Sequence, residues 1–238
     1  MLLYCAEING TTLPQFTLVE PARRNTIDHT ITLADFCGGE KFRITVPLWA
    51  IWFLFGLTYY GIILLTARVY QKGSDDDDGE FVCDFSYAEI FISSASEVAG
   101  IALTAVIIDR WGRIGSQTTL YAGAGIGVVL MGMHHLLHMS DSVFTMWALL
   151  ARITSMAATS VTMVVTPELF ETKTRSSGHS IGSIFSRLGG FCTPYLVNSS
   201  ESVLFVATVL GAGNILAMTC SFLLPETRGL YLLRIVVP

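Results

Sequence analysis

The chain has 238 residues, of which 52% are hydrophobic and only 14% charged, and its mean hydropathy is +0.57. That is too apolar for an ordinary soluble domain. The net charge of −5 says little by itself, because the acids cluster in loops. Cys5, Cys37, Cys83, Cys192 and Cys220 are scattered without C-x-x-C spacing, so neither a zinc site nor a disulfide framework is read. No cofactor, metal or nucleic acid is expected.

Residues 1–45 are mixed and weakly patterned, and read as a cytoplasmic extension with short helices at most. Met1–Tyr4 is too short for the apolar region of a signal peptide. A bilayer core needs about 20 apolar residues in a helix. Six segments meet that length: Pro47–Thr66, Tyr87–Ile108, Gln117–His138, Val143–Thr166, His179–Val197 and Val203–Leu224. The expected fold class is therefore an all-α polytopic membrane protein. Its six-helix domain spans residues 46–226 and a short tail follows at 227–238. The short gaps at Met139–Asp141 and Asn198–Glu201 predict antiparallel hairpins.

The first span is aromatic, with Trp49, Trp52, Phe53, Phe55, Tyr59 and Tyr60. After it, four consecutive aspartates at 75–78 read as a solvated loop, since like charges in a row repel. The second span carries Glu89, Ser93, Glu97, Gly100 and Thr104, which fall on one helical face. The third has Gly123, Gly125, Gly127 and Gly132, which allow close helix contact. At its outer end His134, His135 and His138 read as interfacial rather than metal-binding. The fourth span carries a second polar face, Arg152, Ser155, Thr159, Thr162 and Thr166, and the fifth a third, Ser183, Arg187, Gly190 and Pro194. Ions inside a bilayer are costly, so such faces are expected to turn toward a bundle interior or a wet cavity. Spans three and six lack a charged face and read as supports.

Lys and Arg set the expected orientation. Ten of them (Arg23, Arg24, Lys41, Arg43, Arg110, Arg113, Lys173, Arg175, Arg228, Arg234) flank one side and two, Arg68 and Lys72, the other. Six spans with that bias place both termini in the cytoplasm.

Three loops on the basic side carry recognisable patterns. Asp109-Arg110-Trp111-Gly112-Arg113 resembles the D-R-x-G-R signature of the major facilitator superfamily. Gly112 permits a tight turn, and Asp109 and Arg113 are placed to pair. Pro167-Glu168 through Thr172, Arg175 and Gly178 resembles the loop of sugar porters, with Glu171 where they usually have proline. Pro225-Glu226-Thr227-Arg228-Gly229 resembles their P-E-T-[KR]-G ending. Together these predict a cytoplasmic gate network of Asp109, Arg110, Gly112, Arg113, Glu168, Arg175, Glu226 and Arg228, with Glu168 and Arg175 reaching Arg113.

Within the superfamily, Trp49–Phe53 with Tyr59–Gly61, Tyr87–Phe91, Ser96–Gly100 and Arg187–Gly190 resemble the synaptic vesicle two-related proteins, with organic cation and carnitine transporters as near relatives. Ala6–Gly10 and Leu13-Pro14 resemble that group's central loop. The resemblance covers only the C-terminal six-helix half of a twelve-span fold. It implies a fragment of a longer carrier whose missing N-terminal half, or a second copy, restores a cavity. It implies secondary transport of a small polar or charged organic solute with a coupling proton or ion, in the plasma membrane or an intracellular vesicle. Tyr59, Tyr60, Glu97, Arg152 and Arg187 are the substrate or coupling candidates: Glu97 as a cation partner or protonatable group, the arginines as its partners or as anion binders, the tyrosines for stacking. The alternative is a non-transporting membrane protein that scaffolds a partner. An intramembrane serine protease is disfavoured, because Ser176-Ser177-Gly178 lacks the nucleophile pattern. No catalytic residue is expected.

Overall fold

The computed structural model describes residues 36, 38, 40–74, 87–134, 136, 140–170, 174–199 and 202–226. Within them lie six helices and no strand: α1 (Glu40–Ser74), α2 (Tyr87–Trp111), α3 (Arg113–Gly132), α4 (Asp141–Leu169), α5 (Arg175–Ser199) and α6 (Val203–Phe222). Helices are what such a sequence must form in lipid, where a backbone can satisfy its polar groups only internally. Four of them (α1, α3, α4 and α6) are, over their described residues, long and apolar enough to cross a membrane. The other two, α2 and α5, have 25 residues each and carry Glu97 and Arg187.

The solvent logic of a soluble protein is inverted. Thr162, Thr166, Thr193, Gln117 and Asn214 are fully buried, while Phe91, Phe191, Tyr195, Phe222 and Leu223 stand out on the surface. Large apolar side chains belong outside only where the surroundings are as apolar as they are.

Small residues set the packing. α1 runs beside α5 because Gly56 and Gly189 leave the backbone carbonyls of Ser186 and Phe53 room to approach; a Cβ at either glycine would overlap them. The glycines of α3 do what their spacing predicts. Gly127 faces the backbone of Ala151 on α4, Gly125 faces Asn214 on α6, and Gly132 closes on Ala207. Two apolar clusters fill the bundle, one around Leu48, Trp52, Tyr121 and Val165, the other around Ile62, Val128, Met131 and Val206.

Several boundaries differ from the sequence reading. α1 starts at Glu40, inside the expected extension, and runs on to Ser74, because the helix continues past its apolar run at both ends. α3 ends at Gly132, where Met133 caps it, six residues before His138. His134 therefore lies in the turn beyond α3, edge-on to Phe144, and not on a helical face. His135 and His138 lie outside the described residues. At the other end, α4 runs through Pro167 to Leu169, so Glu168 sits on the last helical turn and not in a loop. Proline removes one amide donor without forbidding the helical backbone around it.

Candidate polar sites in the bundle

At the end of the bundle where α2 turns into α3, Gly112 adopts φ 80°, a conformation that side chains disfavour, and the chain reverses there between two helices. The first amides of α3 then lack intrahelical partners. Glu226, just beyond α6, supplies them: its carboxylate accepts from the Arg113 amide at 2.9 Å and the Ile114 amide at 3.0 Å. This is a helix cap delivered from a distant segment, with a negative charge at the positive end of the helix dipole. The Arg113 side chain meanwhile donates to the Glu168 carboxylate, Nε to Oε2 at 3.3 Å, and lies 4.0 Å from Asp109.

Of the expected gate network, Asp109, Gly112, Arg113, Glu168 and Glu226 come together. Arg110 is exposed in the last turn of α2, where its charge suits the helix dipole. Arg175 does not reach Glu168: its Nε is buried and has no hydrogen-bond partner among the described residues. It starts α5 on the far side of residues 171–173, and spacing along the chain did not carry that geometry. Arg228 lies outside the described residues.

Midway along the bundle, α1, α2 and α4 bring three candidates into contact. The Arg152 guanidinium donates to the Glu97 carboxylate, and the Tyr59 hydroxyl donates to the same Glu97 oxygen at 3.0 Å. The Arg152 side chain is 9% exposed and that of Glu97 24%, so the pair is largely buried with the carboxylate partly accessible. Tyr60, 47% exposed, stands beside Tyr59 with ring centroids 5.4 Å apart. Its ring lies over Gly190 of α5, where a Cβ would come within 2.8 Å of it. Arg187, one turn before Gly190, is exposed and makes no ion pair among the described residues. The expected partnership of Arg187 with Glu97 is absent; Arg152 alone takes that role.

Elsewhere on the two polar faces, the described side chains are sealed into helix contacts; those of Glu89 and Ser93 lie outside the description. Thr104 of α2 donates to the Ala157 carbonyl of α4, and Gly100 abuts the Ile153 carbonyl. Thr159, Thr162 and Thr166 donate to their own helix and are buried. Thr162 is a hub that sequence reasoning missed. Its single proton goes to the Ala158 carbonyl, so its oxygen accepts from Gln117 Nε2 at 2.8 Å and from the Tyr121 hydroxyl at 3.0 Å. Trp52 Nε1 donates to Thr166 in the same row. The four-residue step from Gln117 to Tyr121 was the available signal.

Residues 46–236 match the family described as Sugar (and other) transporter. The chain belongs to that family. Among its relatives, a synaptic vesicle 2-related protein of Xenopus laevis is 29% identical over 79% of this chain and 37% of its own length. Organic cation/carnitine transporter 7 of Arabidopsis thaliana is 29% identical, covering 63% and 30%. Solute carrier family 22 member 13 of Homo sapiens is 30% identical, covering 79% and 31%. The chain spans less than half the length of the curated relatives it matches. Membership in this family and four helices fit to cross a bilayer make it a multi-pass membrane protein.

Proposed function

We propose that the chain is the C-terminal six-helix half of a twelve-span secondary carrier for a small polar or charged organic solute. Residues 46–226 form the half-domain, and both termini face the cytoplasm. The observation that carries this reading is the Tyr59–Glu97–Arg152 cluster. It places a carboxylate, a guanidinium and a phenol midway along the helices, with the carboxylate 24% exposed. Carriers of this architecture bind solute near the midplane, between two halves that rock against each other. One wall of such a cavity is present here, and the missing half or a second copy supplies the other.

In this mechanism Glu97 is the coupling group. Protonating it removes the charge that holds Arg152, so proton occupancy and the shape of the wall change together. Arg113, with Glu168 and Asp109, latches the cytoplasmic end while the cavity faces outward. The reading expects a native product about twice this length, detectable with an antibody against the α5–α6 segment. In that protein Glu97→Gln abolishes solute uptake or removes its pH dependence. Unchanged uptake and an unchanged pH profile would end the assignment of Glu97. Absence of any saturable flux would favour a non-transporting membrane protein instead.

A further inference from the structure

Buried polar atoms without a partner call for an explanation, and three of them occur at one end of the α1–α5 seam. The two helices run side by side in the same direction, and the register that sets Gly56 against Ser186 sets Thr45 level with Arg175. Thr45 is 1% exposed, yet its hydroxyl makes no hydrogen bond among the described residues, whereas Thr66 of the same helix donates to the Ile62 carbonyl. Trp49 Nε1, one turn along α1, and Arg175 Nε are also buried and unpartnered among the described residues. Both are donors only, so each calls for an acceptor. Arg43, exposed and in no ion pair among the described residues, adds a second guanidinium at the same end.

An open apolar groove of about 320 Å³ begins at this end, lined by Val46, Trp49, Ala50, Phe53 and Phe185. Trp49 belongs to both features. Its ring stacks on Phe185 at 5.3 Å and forms part of the wall, while its N–H is one of the orphaned donors. Arg43, Val46, Ala50 and Phe53 step by three, four and three, so they share a face of α1 with the arginine at its head. From Val46 to Phe53 the groove follows α1 for two turns, about 10 Å. Two guanidinium groups at the head of an apolar trough, at the end of a membrane-spanning bundle, complement a phosphate carried on hydrocarbon. We infer that the groove seats an anionic phospholipid of the surrounding bilayer, with its phosphate at Arg175 and Arg43 and an acyl chain against Val46, Ala50, Phe53 and Phe185. This does not depend on the carrier reading, since a non-transporting bundle with the same two helices would hold the same lipid.

The test is quenching of tryptophan fluorescence in the purified chain by phospholipids brominated on the acyl chain, added to mixed micelles. Brominated phosphatidylglycerol is expected to quench saturably, at a concentration at least about tenfold below that of brominated phosphatidylcholine, the worth of one charge-assisted contact. Trp49→Phe removes most of that saturable signal. Arg175→Gln abolishes the preference for phosphatidylglycerol. Arg43→Gln, at an exposed position that cannot unfold the bundle, reduces it about threefold, as one exposed charge contact does. Ala50→Phe fills the groove and weakens both lipids. Equal quenching by the two lipids, or a preference that both arginine variants leave intact, overturns the inference. So does displacement of the lipid by an equal concentration of glycerol phosphate, which would mean a small-anion site without recognition of the chain. The native protein is expected to show the same preference; its loss there would mean that another segment covers the groove, and would overturn the lipid as occupant.

Discussion

Two arginine–glutamate pairs join neighbouring helices in this bundle, and their settings differ. Arg113–Glu168 lies at the end of the helices, with side chains 25% and 22% exposed and contacts of 3.3–3.4 Å. Arg152–Glu97 lies midway, with the arginine 9% exposed and a tyrosine hydroxyl on the same carboxylate. The first can trade its partner for water at little cost, which is what a releasable latch needs. The second gives up its partner less readily, because Arg152 is nearly buried and leaving either charge unpaired there is costly. Identical residue types therefore give one contact that water can replace and one held until its charge changes.

The largest effect is expected at the inner pair. Arg152→Met leaves Glu97 with the Tyr59 hydroxyl alone and should cost about 3 kcal/mol, the lower end for a buried pair because Glu97 is partly exposed. Thermal unfolding in detergent measures it. Adding Glu97→Gln to that variant should recover most of the loss, showing that the penalty is the stranded charge. Next comes Gly112→Ala at the latch end. It forces an alanine to φ 80° and sets its Cβ 3.1 Å from the Glu226 carboxylate, for a loss of about 1–2 kcal/mol. Amide exchange at Arg113 and Ile114 should accelerate with it, and unaltered exchange would show that Glu226 is not their cap. The smallest effect is Glu168→Gln, below about 1 kcal/mol for a partly exposed pair. It should vanish in 1 M salt, where charges are screened over about 3 Å, whereas the Arg152 effect should survive.

The sequence held the helices and their order, because each depends on an uninterrupted apolar run that periodicity and length detect. It also marked Glu97, Arg152 and Arg187 as charges that need partners, since their cost in a bilayer singles them out. What it did not hold was which neighbour each polar face meets. The faces of α2 and α4 were legible as faces, yet Thr104, Thr159, Thr162 and Thr166 are sealed into helix contacts, while Glu97 is partly exposed. Periodicity fixes the direction of a side chain about its own axis and carries nothing about the helix opposite. Arg187 shows the same limit: its place on α5 was clear, but the choice between Arg152 and Arg187 as partner of Glu97 depended on how α4 and α5 sit around α1. The Glu226 cap was invisible for a related reason, because 113 residues separate it from the amide it accepts from.

That separation bears on how the protein is made. The start of α3 leaves the ribosome with bare amides, and its capping carboxylate is synthesised only after three more helices. At about 5–20 residues per second the wait is roughly 6–23 s. Until then the α2–α3 turn relies on local contacts, Ser116 Oγ donating to the Ile107 carbonyl and Arg113 beside Asp109. Closure of this joint therefore comes late: the segment just beyond α6 completes the start of α3, and a product cut short before residue 226 would enter the membrane with that joint unfinished.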